Sequence, residues 1–302
     1  MSDSRPRGVF EARPRVTYNR QTTVAPQRPG LIPRLAHLGV PIVSTSGSSN
    51  LPTPPARNAS FDGVYRSIAD VQGWMTRDQA CRLWDRAGEL EPGARVVEIG
   101  SFQGRSMIVL ASSAPEGVEL IAIDPHGGND RGPQELDGFV AEAEGDHETF
   151  LSNLREAGVG DRVIHLRKFS DDALDDVPGA VDLLYVDGAH RYGPAVADIR
   201  SWGAKVVPGG RMLVHDSFSS VGVTLALIAT TLVGPHWLYE GRSQTMSQFR
   251  RAQLTPIERL RNAGRQTLEL PYFARNLLVK VLIVCHLRAA TKLLGSNGEW
   301  PY

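Results

Sequence analysis

Val96-Val97-Glu98-Ile99-Gly100-Ser101-Phe102-Gln103-Gly104-Arg105-Ser106 is the stretch on which the fold turns. It reads as a buried parallel strand that breaks at Gly100 into a loop, whose second glycine, Gly104, opens a helix. About one strand-turn-helix-strand unit further on, Asp124 ends the next apolar run, residues 118–123. Glycines let the backbone approach a bound molecule closely, and a helix N-terminus offers free N–H groups. A carboxylate closing the neighbouring strand can accept from both hydroxyls of a ribose. Together these features predict a nucleoside-cofactor pocket. The plainer reading of the glycines is a tight turn packed against its neighbours.

The loop lacks the G-x-G-x-x-G spacing that fits a pyrophosphate, and Glu98 sits where a diphosphate would meet repulsion, which argues against NAD. A cofactor with a ribose, an amino-acid tail and no phosphate suits it better. The segment resembles the first motif of class I S-adenosylmethionine (SAM) methyltransferases. That resemblance implies Glu98, Gly100, Ser101 and Gly104 around the methionine moiety of SAM and Asp124 on the ribose. It also brings the turn Lys168-Phe169-Ser170 to the adenine. There Phe169 either stacks on the base or fills core, and Ser170 either bonds the base edge or caps a helix.

At 302 residues with 41% hydrophobic content, the chain can bury one good-sized core plus appendages. The formal charge of zero conceals a segregation. Residues 1–60 hold 8 basic and 2 acidic side chains (net +6), residues 61–241 hold 15 and 28 (net −13), and residues 242–302 hold 10 and 3 (net +7). Basic ends on an acidic body either fold onto it, meet an anionic surface or are simply solvated. Residues 1–60 are rich in Arg, Pro, Ser and Thr and are expected to be a mostly disordered basic tail, with a local docking run at 31–43. They show no signal-peptide pattern. Cys81 and Cys285 have no metal-type spacing, and the basic segments lack the aromatic interleaving of a nucleic-acid surface. A cytoplasmic protein, with no nucleic-acid partner, is expected.

Thr76 can cap a helix running to about Leu90 that would cover the cofactor loop. Strand candidates follow at 118–123, 162–167, 181–186 and 210–215, with helical patterns near 104–114, 147–158 and 192–204. Such alternation means a parallel sheet covered by helices on both faces. Two further candidates, 236–240 and 245–250, joined by Gly241-Arg242-Ser243-Gln244, suggest an antiparallel pair at the edge. The pattern is similar to the Rossmann-like α/β seven-stranded class I methyltransferase sheet over residues 70–251. The expected organisation is a tail at 1–60, a methyltransferase domain at 61–252 and a helical extension at 253–302.

Binding is expected outside the carboxyl ends of the strands. There lie Asp187-Gly188-Ala189-His190-Arg191-Tyr192, with Asp198 on the next helix, and Gly209-Gly210 followed by His215-Asp216-Ser217. These segments resemble the D-G-x-H-x-Y and G-G-x-x-x-x-H-D signatures of a branch containing sugar and natural-product O-methyltransferases, of the methyltransferase domain family 24 type. The divalent-metal O-methyltransferases share the positions. Asp187 and Asp216 offer hard oxygen ligands suited to Mg²⁺. Ser217 stands where such enzymes commonly place an Asn ligand and is a weaker donor for a hard cation. By position His190 falls on their catalytic base, and imidazole titrates nearest to working pH. The plainer readings are loop-orienting aspartates and a hydrogen-bonded structural histidine. Strand alternation would turn His215 to the opposite side from Asp216, which is expected to face the pocket for the metal, leaving His215 to support the ligands or contact substrate, and His126 is placed near the ribose or substrate. The other histidines, His147 and His165 among them, read as structural. Asp171 and Asp172 read as first-turn helix charges. The polar stretch 127–147, with Asn129, Asp130, Arg131, Gly132 and Glu142-Ala143-Glu144, is either an acceptor lid or a solvated insertion.

Beyond the sheet, Thr255-Pro256-Ile257-Glu258 combines a capping box with Pro at the first helical position. A second helix is expected from Pro271 to Lys292, stopped by Gly295. Its apolar run is broken by Lys280, His286 and Arg288 and is shorter than the about 20 residues of a membrane span. Its two placements are peripheral membrane contact through a basic-flanked face and packing against the body or a second subunit of a homo-oligomer. The leading expectation is a SAM-dependent O-methyltransferase acting on a small-molecule or glycolipid hydroxyl. A non-enzymatic SAM-fold scaffold is the alternative. A hydroxylase-like member of the wider fold group has no iron triad or redox motif to support it.

Overall fold

In β1 (Arg95–Ile99), Val96 turns to one face and Val97 and Ile99 to the other, yet all three are buried. This is the mark of a sheet sandwiched between helix layers. The computed structural model describes residues 60–127 and 140–301, with the side chains of 140–144 excluded. The expectations for the tail, for the 31–43 run and for residues 129–132 lie outside these residues.

Four strands join β1 in parallel register: β2 (Glu119–Ile123), β3 (Val163–Leu166), β4 (Val181–Val186) and β5 (Val206–Val214). The hairpin β6 (Trp237–Ser243) and β7 (Met246–Arg251) completes a seven-stranded sheet ordered β3-β2-β1-β4-β5-β7-β6. β7 runs antiparallel to β5 and to β6. On one face α1 (Phe61–Ser67), α2 (Arg77–Gly88), α3 (Arg105–Ser113) and α4 (Val140–Glu156) bring Val64, Leu83, Met107 and Phe150 onto Val96 and Leu183. On the other, α5 (Tyr192–Lys205) and α6 (Val221–Leu227) bring Ile199, Trp202 and Leu227 onto Val97, Leu184 and Met212. β1 has β2 on one side and β4 on the other, so the connections diverge there and leave a crevice at the strand ends.

The expected strands and helices are present, with four differences of extent. β5 starts at Val206, because a register shift opposite Val181 and Leu183 lets Pro208 and Gly209 lie within the strand. Residues 241–243, expected as the hairpin connection, belong to β6, and the turn tightens to Gln244 and Thr245. α4 begins at Val140 rather than near 147. Asp171 and Asp172 lie in a run of turns rather than a helix.

The C-terminal extension is part of the same unit as the sheet, Pro52–Tyr302. α7 (Pro256–Thr267) starts with the expected reciprocal Thr255–Glu258 capping box. It covers the edge strand: Asn262 Oδ1 accepts from Tyr239 N at 2.7 Å, and its Nδ2 donates to the Trp237 carbonyl at 3.0 Å. α8 (Leu270–Val284) packs against the body through buried Asn276 and Val279, so packing is the placement found. It ends well before Lys292. His286 takes a left-handed φ of 60°, and a 3₁₀ segment, Arg288–Leu294, follows and ends at Gly295, the expected stop. Among the described residues no helix is long and apolar enough to cross a membrane.

Candidate active site

The crevice at the carboxyl ends of β1, β2, β4 and β5 is a cleft of about 830 Å³. The strand ends are laced together around it. Gly100 N donates to the Ile123 carbonyl and Asp187 N to the Ile99 carbonyl, each at 2.8 Å. Gly100 has φ +86°, and a Cβ there would sit 2.2 Å from the Asp187 carbonyl oxygen. This glycine is therefore required by the passing backbone of Asp187.

Ser101 lines the cleft, and its buried hydroxyl lies beside the Glu98 carboxyl without a well-formed hydrogen bond. Asp124 lines it too. Its two carboxylate oxygens accept from Phe102 N and His126 N, both at 2.8 Å. Each oxygen keeps a further lone-pair direction for a ribose hydroxyl. A carboxylate held by backbone N–H groups, with a serine hydroxyl beside it in the cleft, fits the ribose and amino-acid parts of SAM. Phe169 stands at the rim, 62% exposed, with an open ring face.

Two expected cofactor contacts lie outside the cleft, and a third is engaged by a neighbour. Glu98 is fully buried beneath the loop, accepts from the Ser106 hydroxyl and does not line the cleft. Burial pushes its pKa up to about 8, only partly offset by Ser106, so the group is neutral at pH 7. Gly104 also stands outside the cleft. It starts α3 with φ +88°, and a Cβ there would meet the Phe150 ring at 3.2 Å. Ser170 does line the cleft, but its hydroxyl donates to Asp198, whose pKa burial raises to about 6. Sequence reasoning missed the flap Gln72, Gly73, Trp74 and Met75, which also lines the cleft. Arg105 holds it through the Val71 and Gly73 carbonyls at 3.0 and 3.3 Å, and Trp74 packs on Phe102. No motif announces such a flap, because its backbone is held by a side chain 32 or more residues away in sequence.

At the other end of the cleft Asp187, His190 and Asp216 bring one potential ligand atom each within 4.8 Å of one another. His190 Nε2 lies 2.8 Å from Asp216 Oδ2. His215 Nδ1 lies 3.2 Å from Asp187 Oδ1 and 3.3 Å from Asp216 Oδ2, and Tyr185 donates to Asp187 Oδ2 at 3.1 Å. Burial disfavours every charge here, but the ion pairs outweigh it. Asp216 is held well below the usual carboxylate range, His215 well above the usual imidazole value and His190 above it. The contacts favour charged imidazoles beside a charged Asp216.

Two expectations are corrected at this end. The strand closes at Val214, and Asp216 adopts φ +53°, so alternation no longer applies and both His215 and Asp216 line the cleft. The same turn sends the buried Ser217 hydroxyl back to the Val214 carbonyl at 2.8 Å, away from the cleft. Ser217 does not face the cleft in this arrangement, and His190 is the residue that joins Asp187 and Asp216 as a potential donor. His126 is likewise displaced from the cleft. It is 96% buried, inferred from its 4% exposure, with its ring 5.0–5.3 Å from the rings of His165, His147 and Phe150. His147 and His165 thus have partners that sequence did not reveal. Burial, with the neighbouring imidazoles, lowers the His165 pKa to about 4.

A sheet of this order, with its cleft at the β1–β4 divergence and an acidic residue ending β2, is the class I SAM-dependent methyltransferase fold. Residues 97–217 of the chain match the family model described as a methyltransferase domain, of family 24 type, which spans the strands and loops that build the cleft. Among curated proteins, the chain is 33% identical over 127 residues to the uncharacterized protein y4gI of Sinorhizobium fredii, covering 41% of this chain and 13% of that one. It is 29% identical over 126 residues to an uncharacterized protein of Acanthamoeba polyphaga mimivirus, covering 40% and 50%. The match thus spans no more than half the length of these relatives. Among solved structures, the O-methyltransferase NovP superposes with a TM-score of 0.48 at 16% identity, covering 60% of this chain and 84% of that one.

Proposed function

We propose that the chain is a SAM-dependent O-methyltransferase acting on a hydroxyl of a small molecule, whether sugar, glycolipid or secondary metabolite. The observation that carries this reading is that one cleft holds both halves of the chemistry. Asp124 and Ser101 lie at one end, and Asp187, His190 and Asp216 at the other.

SAM supplies an electrophilic methyl on sulfur. The acceptor oxygen forms its bond to that methyl as the S–C bond breaks, S-adenosylhomocysteine leaves, and the hydroxyl proton must go elsewhere. Asp187 and Asp216 present hard oxygen donors that suit a Mg²⁺ ion, which would orient the acceptor hydroxyl and lower its pKa. His190 is the group placed to take the proton. Asp216 favours protonated His190, so the imidazole can act as a base only once that carboxylate is otherwise engaged. Asp124 and Phe169 bind and orient the nucleoside, and the Trp74 flap limits water at the cofactor end.

The test uses methyl-labelled SAM and a pool of hydroxylated small molecules, with Mg²⁺ or with EDTA. Label should move to acceptors with Mg²⁺, fall by about 100-fold or more in His190→Ala, and be lost in Asp216→Asn. Absence of transfer by folded protein that binds SAM would favour the scaffold.

A further inference from the structure

The C-terminal extension reaches the reacting end of the cleft. Leu277 and Lys280 of α8 and Trp300 beyond the 3₁₀ segment line it beside Asp216 and residues 219–221. Three hydrogen bonds fix the extension to the turn that follows Asp216. Asn276 Nδ2 donates to the Phe218 carbonyl at 2.9 Å, and Lys280 Nζ to the Ser219 carbonyl at 3.0 Å. The Ser219 hydroxyl donates to the Pro301 carbonyl at 2.6 Å. Arg275 ties the last segment back onto α8, donating to the Leu294 and Gly295 carbonyls at 2.7 and 2.9 Å. Trp300 is thereby brought under the Lys280 ammonium, 5.0 Å from the ring centroid.

Lys280 spends one of its three N–H donors on Ser219. It is a half-buried cation in a cleft wall, next to a flat ring that is 37% exposed. A charge in that position suits one anionic group, and the ring face suits a planar apolar body. Lys280 is a single point charge on this wall, which favours a singly charged carboxylate over a doubly charged phosphate.

We propose that Lys280 and Trp300 form the acceptor subsite and that it takes a flat, hydroxylated ring bearing a carboxylate. The subsite rests on the methyltransferase reading and narrows its acceptor class. Lys280 holds the carboxylate, Trp300 the ring, and the hydroxyl is left to the Asp187, His190 and Asp216 end.

The test is calorimetric titration of the full chain, with S-adenosylhomocysteine alone and then, in its presence, with three probes. 4-Hydroxybenzoate should bind about tenfold or more tightly than its methyl ester, which lacks the charge, and than 4-hydroxycyclohexanecarboxylate, which lacks the flat ring. Lys280→Met should abolish the preference for acid over ester, and Trp300→Leu the preference for flat over saturated ring. Both variants should keep wild-type affinity for S-adenosylhomocysteine, a pattern that general loosening of the fold does not produce. If wild-type protein binds S-adenosylhomocysteine but not 4-hydroxybenzoate, or if both variants keep both preferences, the subsite is wrong. If wild-type protein fails to bind S-adenosylhomocysteine, the methyltransferase reading fails and takes the subsite with it.

Discussion

Gly100 shows how one residue can answer to two neighbours. The loop motif marks it as a place where a cofactor approaches the backbone, and its immediate neighbour is the Asp187 carbonyl. Gly100→Ala must adopt a left-handed φ and move a backbone that carries a candidate ligand, so it should lower stability by about 2 kcal/mol or more in denaturant unfolding. It should weaken Mg²⁺ binding in parallel. Glu98 makes a prediction in pH. Its folded pKa of about 8 lies above the ordinary carboxyl value, so the folded state holds the extra proton. Stability is full below that ordinary value and is lost as pH rises through about 8. Glu98→Gln keeps the shape without the ionisation and should be more stable than wild type above pH 8, by about 1–3 kcal/mol, with the gap closing towards pH 5. Asp187, His190 and Asp216 were legible because each sits in a short motif directly after a strand. Ser217 was misread because its direction depends on the left-handed φ of Asp216, which no spacing rule encodes.

At the scale of elements, periodicity located every strand of the sheet, because a strand buried on both faces must be apolar along most of its length. Its ends were less legible. The second extension helix stops at Val284, just before His286 turns left-handed, and Arg275 holds the Leu294 and Gly295 carbonyls against α8. That is a long-range hydrogen bond, invisible to local pattern. The covering of the sheet edge was equally hidden, since it depends on a single buried amide. Asn262→Ala leaves the Tyr239 N–H and the Trp237 carbonyl without their partner. Denaturant unfolding should show a loss of about 1–3 kcal/mol, while SAM affinity stays unchanged because the edge lies on the far side of β7 and β5 from the cofactor loop.

For the molecule as a whole, the acidic body and basic C-terminal end foreshadowed docking, yet the contacts are mostly not between opposite charges. Arg259, Arg275 and Lys280 satisfy backbone carbonyls, and the ion pair linking α7–α8 to the hairpin is Glu269 with Arg242. Arg275 and Lys280 close the C-terminal segment against the cleft, which places Lys280 and Trp300 at the site. The fold was therefore readable from strand motifs. The acceptor wall was not, because it is assembled from residues more than 60 positions downstream of the Asp216 motif. The account stands on the cleft being a SAM site anchored by Asp124, and the direct measurement is isothermal titration of SAM into wild-type protein and Asp124→Ala. The prediction is saturable one-to-one binding by wild type, weakened at least about tenfold in the variant without loss of fold. Wild-type protein that is folded and binds no SAM, or a variant that binds it equally well, would contradict the account.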